Sequence, residues 1–354
     1  MEITQEQVLN ALSFVIEPDL KKDLVTLGFV SDIKIEGNTI SCTVQASNPA
    51  MHNRKRIEEA CEHQFKLKIG NEVKASVQVV AMNEENQVSP QTRKVLPGVK
   101  HIIAVASGKG GVGKSTITSN LAAGLAKKGF KVGLIDADIY GPSAPIMFDV
   151  QLHKPGMKDI DGKNYMTPVE SYGVKMLSIG FFADTDQAIV WRGPMASKAL
   201  DQMVKDVYWG ELDYMLIDLP PGTGDVHLSI VQAVPLSGAI VVSTPQQVAL
   251  ADARKGINMF QLDSINVPVL GLVENMSYFT PEELPDNKYY IFGKDGAKEL
   301  SEKMNTPLLG QIPLVQSIRE SGDIGRPAVL QDNTVSSKAF EDLVEQVIKT
   351  MDNK

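Results

Sequence analysis

Two textures of hydrophobic patterning divide the chain. Over residues 1–82 apolar positions recur singly among polar ones. Thr4-Gln-Glu-Gln7 has the spacing of a capping box, and Val8, Leu9, Ala11, Leu12 and Val15 follow as a helical stripe. Residues 29–35 and 39–44 alternate apolar and polar around Gly37-Asn38, which predicts a hairpin. Residues 51–66 predict a charged helix, and residues 73–80 alternate again as a third strand. Residues 83–98 lose all periodicity and carry Pro90, Pro97 and Gly98, the signature of a linker. From residue 99 short continuous apolar runs appear, at 101–106, 131–135, 174–179, 214–217, 238–242 and 267–273, separated by helical patterns. Runs apolar on both faces fit parallel strands covered by helices on each side. The expected fold is therefore an α/β domain with a mostly parallel sheet over residues 99–354, preceded by a small α+β domain over 1–82.

Composition narrows the setting. A chain of 354 residues, 43% hydrophobic and 22% charged, has material for two soluble domains. A net charge of -8 argues against a protein that coats nucleic acid. With no N-terminal apolar leader and no apolar run of about 18 residues, neither secretion nor membrane spanning is expected. The two cysteines, Cys42 and Cys61, are too few for a disulfide framework, so a reducing cytoplasm is the expected location.

The strongest chemistry lies at Gly108-Lys-Gly-Gly-Val-Gly-Lys-Ser115, a phosphate-binding loop between a predicted strand and a helix over 115–128. Gly108, Gly110, Gly111 and Gly113, with Val112, turn backbone N–H groups toward phosphate oxygens, and the helix N-terminus adds partial positive charge. Lys114 would reach the β- and γ-phosphates of ATP, and the Ser115 hydroxyl would bind Mg²⁺. Lys109 is a second lysine in the loop. It is either an exposed loop residue or a charge aimed at phosphate across a dimer interface, and spacing alone does not choose.

Carboxylates follow two buried runs. Residues 131–135 lead into Asp136-Ala-Asp138, where Asp136 would stand near the metal and Asp138 would orient or deprotonate the attacking water; the plainer reading has both capping the next turn. Residues 214–217 lead into Asp218, a Walker-B arrangement in which the carboxylate holds Mg²⁺, and Pro220-Pro-Gly-Thr-Gly224 suits a loop that senses the γ-phosphate. Further along, Asn275 ends another apolar run and its amide is suited to the adenine edge, with Ile312-Pro313 supplying backbone contacts to the base.

These residues resemble a known family. Ser107 to Thr116 is similar to the deviant Walker A loop of MinD-like P-loop ATPases. Asp136-Ala-Asp-Ile-Tyr-Gly-Pro-Ser143, Trp191-Arg-Gly-Pro-Met195, Ile217 to Asp225 and Val273-Glu-Asn-Met-Ser-Tyr-Phe279 narrow the resemblance to the Mrp/ApbC iron–sulfur cluster carriers. Ile16-Glu-Pro-Asp-Leu20 and Leu24-Val-Thr-Leu-Gly-Phe29 resemble the MIP18-type domain often fused in front of them. The resemblance implies a homodimer that binds and hydrolyses ATP and serves iron–sulfur apo-proteins or scaffold proteins. It also implies that Lys109 reaches the partner's nucleotide, that Asp138 lies near the attacking water, that Asp218 is the second switch carboxylate, that Thr116 continues the loop, and that Asn275 reads adenine.

One departure stands against it. Carriers of this family place a Cys-x-x-Cys shortly after the segment ending at Phe279, so that two chains offer four thiolates to a cluster. Here residues 279–287 hold no cysteine, and Asn48-Pro-Ala-Met-His52 replaces the Cys-Pro usual in the N-terminal domain. Cys42 and Cys61 read as buried apolar groups, or, for Cys61 with His63 and a carboxylate, as a metal site. Glu282, Glu283 and Asp286 read as a solvated acidic loop or a hard-cation site. Two functions follow: a cluster carrier driven by ATP, or a nucleotide-switched regulator that has lost its cluster and contacts protein or DNA. The tail over 339–351 is amphipathic with an acidic polar face, which suits packing on the domain rather than a membrane surface.

Overall fold

The structure, a computed structural model, describes residues 3–18, 20–46, 51–81, 95–96, 98–139, 141–160, 162–182, 193–263, 265–281, 283–284 and 287–353. Most of the expected linker at 83–98 lies outside the described residues, as do residues 48–50, Tyr140, Trp191, Arg192, Glu282, Asp286 and the side chains of His52 and Asp225. The chain forms two compact units, dividing between residues 97 and 98.

In the N-terminal unit the capping box forms as its spacing predicts. The Thr4 hydroxyl accepts the Gln7 N–H at 3.3 Å, and Gln7 Oε1 accepts the Thr4 N–H at 3.0 Å. Helix α1 (Gln5–Leu12) turns Val8, Ala11 and Leu12 inward. Strands β1 (Val30–Glu36) and β2 (Thr39–Ala46) pair antiparallel across the turn at Gly37. Helix α2 (Met51–Lys68) then carries the chain over to β3 (Lys74–Ala81), which pairs parallel to β2. The core is closed by Leu12, Leu24, Ile40, Val44, Ile57 and Phe65, with both cysteines inside it.

The second unit runs β4 (Val99–Ala106), α3 (Lys114–Lys127), β5 (Val132–Asp136), α4 (Ala144–Met147), β6 (Gly156–Ile160), β7 (Lys163–Thr167), β8 (Val169–Ser171), β9 (Val174–Ser178), α5 (Gly193–Lys205), β10 (Leu212–Asp218), α6 (Asp225–Ala233), β11 (Gly238–Ser243), α7 (Gln247–Gln261), β12 (Val269–Glu274), α8 (Gly296–Lys303), β13 (Leu308–Gln311), α9 (Gln316–Asp323) and α10 (Val335–Asp352). Its sheet has the order β13-β12-β11-β4-β10-β5-β9-β8, parallel throughout except for the last pair. The α/β expectation, with a small α+β part in front, is met. The strand at 308–311 and the β6–β7 ribbon were not expected: the first has four residues, and the second is mostly exposed and lacks an apolar run.

Sheet order is what builds the site. Strand β10 inserts between β4 and β5, so Asp218 pairs with Val105 on one side and with Asp136 on the other. The first loop and both carboxylate-bearing ends thereby meet off the carboxyl edge of adjacent parallel strands. Helix α3 packs on β4, β5 and β10, and α10 lies over α3, with Phe340, Leu343, Val344 and Val347 buried. Glu341 and Glu345 of its polar face pair with Lys127 and Lys128 at 2.9 and 2.8 Å, so the tail packs on its own domain. No described helix is long and apolar enough to cross a membrane.

Candidate functional site

The loop between β4 and α3 is wedged in place by glycines. Gly108 lies against α7 so closely that a Cβ there would stand 2.2 Å from the Asp252 carbonyl. Gly113 has φ 82°, and a Cβ there would meet Asn275 Nδ2 at 2.1 Å. Only glycine satisfies both the conformation and the space. Asn275 Nδ2 donates to the Val112 carbonyl at 2.8 Å, so the residue expected to read adenine also ties the loop down. Asn275 is itself held by Ser243, whose carbonyl accepts its N–H at 2.8 Å. Beside it Glu274 is buried and accepts from Ser277 Oγ, the Ala297 N–H and Gln311 Nε2.

Lys114 opens α3 and is only 5% exposed. Its ammonium lies 2.9 Å from Asp218 Oδ1, 3.5 Å from Asp138 Oδ2 and 3.3 Å from Ser115 Oγ. Ser115 Oγ donates to Asp218 Oδ2 at 2.5 Å, and Thr118 Oγ1 donates to Asp218 Oδ1 at 2.7 Å. Thr118 was not singled out in the sequence. Its signal is its position one helical turn after Lys114, on the same face. Ser115 and Asp218 together present a hydroxyl and a carboxylate, the hard oxygen donors that Mg²⁺ takes alongside phosphate and water. These residues fit that ion.

Asp136 is set behind this pair. Its Oδ2 accepts from Ser178 Oγ at 2.9 Å and from the Ala144 N–H at 3.1 Å, and its Oδ1 from the Asp138 N–H at 3.2 Å. Burial holds its carboxyl well above the usual carboxylate range, and the neighbouring charge of Asp218 adds to this. Two carboxylates, Asp218 and Asp138, thus meet one ammonium, and the more deeply buried Asp136 behind them resists ionisation.

The chain leaving Asp218 is fixed by backbone bonds, Leu219 N–H to the Val105 carbonyl at 3.0 Å and Gly222 N–H to the Ser107 carbonyl at 2.9 Å. Below it lies His227, 2% exposed, with Nδ1 3.3 Å from the Pro220 carbonyl and its ring 5.8 Å from that of Phe260. Burial lowers its pKa from 6.5 to about 4, the Pro220 carbonyl pulling it back up and the Lys114 charge lowering it further. The imidazole is therefore less willing to take a proton folded than unfolded. The fold therefore loses stability at this residue as pH falls through 6.5 toward about 4, a loss absent well above 6.5. Between pH 7 and 4.5 the wild type is expected to lose on the order of 2–3 kcal/mol more stability than His227→Phe, read by denaturant melts of both proteins. Equal losses would contradict the depressed pKa.

A cavity of about 420 Å³ opens beside the loop, lined by Thr116, Asn275, Met276, Pro313, Val315 and Arg319 among others. Its volume lies in the range of small-molecule sites. It brings together Asn275 and Pro313, the two residues placed by sequence at the base of a nucleotide, with Thr116, which continues the phosphate loop. Lys109, by contrast, is exposed and makes no hydrogen bond or ion pair among the described residues.

The cysteines offer no site. Cys42 and Cys61 are 3% and 0% exposed, burial pushes the Cys42 thiol up to about 11, and Cys61 is raised further by burial and by Cys42 beside it. Such thiols stay protonated near neutral pH and act as small apolar groups. The Cys61–His63 metal site is overturned, because Cys61 is buried while His63, two positions on along α2, is exposed. Among the described residues no three His, Cys, Asp or Glu side chains are grouped to hold a metal. In the segment after Phe279, residues 279 and 289 exchange both backbone hydrogen bonds at 2.8 Å, and the chain between them carries no thiol.

Comparison with known proteins follows the same division. Residues 98–348 match the ParA family profile described as NUBPL iron-transfer P-loop NTPase, and residues 5–79 match one described as iron-sulfur cluster assembly protein. An iron-sulfur cluster carrier protein of Synechocystis is 44% identical over 346 residues, spanning 98% of this chain and 97% of that protein. An Arabidopsis thaliana mitochondrial iron-sulfur protein required for NADH dehydrogenase is 52% identical over 256 residues, 72% of this chain and 80% of that one. A nucleotide-binding protein of Archaeoglobus fulgidus, solved with ADP, is similar in structure with a TM-score of 0.57 and 39% identity, covering 65% of this chain and 88% of its own.

Proposed function

The chain belongs to the NUBPL iron-transfer P-loop NTPases of the ParA group, and from that premise we propose that it is an ATP-hydrolysing homodimer that delivers iron–sulfur clusters to apo-proteins. The observation that carries the reading is the Lys114 ammonium held between Asp218 and Asp138 at the N-terminus of α3.

Each side chain has a role that its position supports. Loop N–H groups and Lys114 would hold the phosphates, and Ser115 with Asp218 would hold Mg²⁺. When bound there, the ion would supply positive charge to offset that of the β- and γ-phosphates. Asp138 is 13% exposed and adjoins Lys114, a position from which its carboxylate orients the attacking water. Asp136, with both oxygens already hydrogen-bonded, fixes the backbone of Asp138 and supports the metal from behind Asp218. Thr116, Asn275 and Pro313 receive the base. Phosphate oxygens would compete with Asp218 and Asp138 for the Lys114 ammonium, leaving Asp218 as an oxygen donor beside Ser115. The loop after Asp218 then moves with the state of the nucleotide.

Residues 1–82 and 99–354 act as separate domains in this reading, joined over 83–98, and the protein works in the cytoplasm. The relatives named as carriers span both domains, which favours delivery over a regulator that has lost its cargo. Thiolates of the 279–289 segment take no part in gripping the cargo, since there are none.

The test is anaerobic incubation with iron and sulfide, desalting, and transfer to an apo iron–sulfur enzyme with and without ATP. Delivery predicts acceptor activation that needs ATP and survives in a Cys42→Ser/Cys61→Ser variant. No iron retained and no activation above acceptor alone would overturn it.

A further inference from the structure

His227 has no part in the phosphate chemistry, yet it is buried against the segment that follows Asp218. Residues 219–222 read Leu-Pro-Pro-Gly, so Pro220 and Pro221 bring no N–H of their own. The polar handles of that stretch are its carbonyls and the N–H groups of Leu219 and Gly222, and both N–H groups are already spent on β4 and the residue following it. The Pro220 carbonyl is met by a side chain, His227 Nδ1 at 3.3 Å. A carbonyl only accepts, so Nδ1 carries the proton, and in the neutral ring Nε2 is then bare.

That bare Nε2 is buried without a partner among the described residues. A buried acceptor left unpaired is destabilising, and an apolar ring of the same shape would pack against Phe260 without that cost. The position therefore holds a histidine at the expense of stability. What a histidine offers there that a phenylalanine does not is the Nδ1 proton.

We propose that His227 is the positioning residue of the nucleotide switch, its Nδ1–H anchoring the Pro220 carbonyl so that Asp218 and the glycines after Pro221 present one geometry to the γ-phosphate. It acts through the loop and touches no reacting atom. Helix α6, which carries it, packs its ring on Phe260 of α7, and α7 in turn closes on Gly108. The switch loop and the phosphate loop thus share one abutment.

This inference rests on the site being a nucleotide hydrolase, and the experiment separates the two. Wild type, His227→Asn, His227→Gln and His227→Phe are compared for ATP affinity, kcat and Tm. Asn places an amide N–H where Nδ1 stands, whereas Gln places its amide where Nε2 stands. The expected result is that Phe and Gln lower kcat roughly tenfold or more while Asn stays within about threefold, all with unchanged nucleotide affinity. The Phe variant is further expected to melt no lower than wild type, so that activity and stability part company. A Phe variant that turns over at the wild-type rate overturns the anchor, as does a parallel fall of Asn and Gln. If Phe fails to fold, the Asn and Gln pair decides. Wild type that does not hydrolyse ATP defeats the reading of the site itself.

Discussion

Lys114→Ala is expected to lower ATP turnover by at least about a thousandfold, to the limit of a coupled phosphate assay. The size follows from burial. At 5% exposure the ammonium sits where a charge is worth far more than in water, and no other cation among the described residues adjoins Asp218. Removing it takes away the main point charge on the β- and γ-phosphates. It also leaves Asp136 and Asp218 side by side without their counter-charge, in a place where Asp136 already resists ionisation. The variant should therefore also be less stable, since truncating one partner of a buried pair costs roughly 3–5 kcal/mol. Lys114→Ala/Asp218→Asn should recover part of that stability and none of the turnover. Turnover at the wild-type rate in the single variant would overturn the site.

The loop was legible in the sequence because its parts are contiguous: the glycines, Lys114 and Ser115 share eight residues between a strand and a helix. Asp136 and Asp218 were legible as strand ends. That they stand side by side was not, because nothing in the local pattern says that β10 inserts between β4 and β5. Contacts made across that order were hidden for the same reason. Thr118 reaches Asp218 over a separation of 100 residues, and Asn275 reaches Val112 over 163. Thr118 is ordinary for a helix, and Asn275 was legible as a base-reading amide but not as a tie to the phosphate loop. His227 was not singled out in the sequence. Burial, which a single sequence does not display for a lone histidine, is what makes it informative. The cysteines show the converse: their absence from 279–287 was plain in the sequence, and the structure adds that the two present are sealed in another core.

Lys109→Ala is expected to abolish hydrolysis as fully as Lys114→Ala while leaving ATP affinity within about threefold of wild type. The two lysines differ in how they are held. Lys114 is buried among carboxylates of its own chain. Lys109 is exposed and makes no bond among the described residues, although the glycine beside it is locked against α7. Under the proposed homodimer, a lysine on so fixed a backbone with no partner among the described residues would serve a second copy, its charge offsetting that of the transition state. The idea makes a quantitative demand. A Lys114→Ala subunit still carries Lys109 and can complete the site of a Lys109→Ala partner, whose own Lys114 is intact. Two dead variants mixed in equal amounts should recover about a quarter of wild-type activity, because half the dimers are mixed and each holds one complete site of two. Recovery should fade on dilution as the dimers part. No recovery under conditions where subunit exchange is independently measured would return Lys109 to an exposed loop residue, and a Lys109→Ala variant unable to bind ATP would place it in its own site instead.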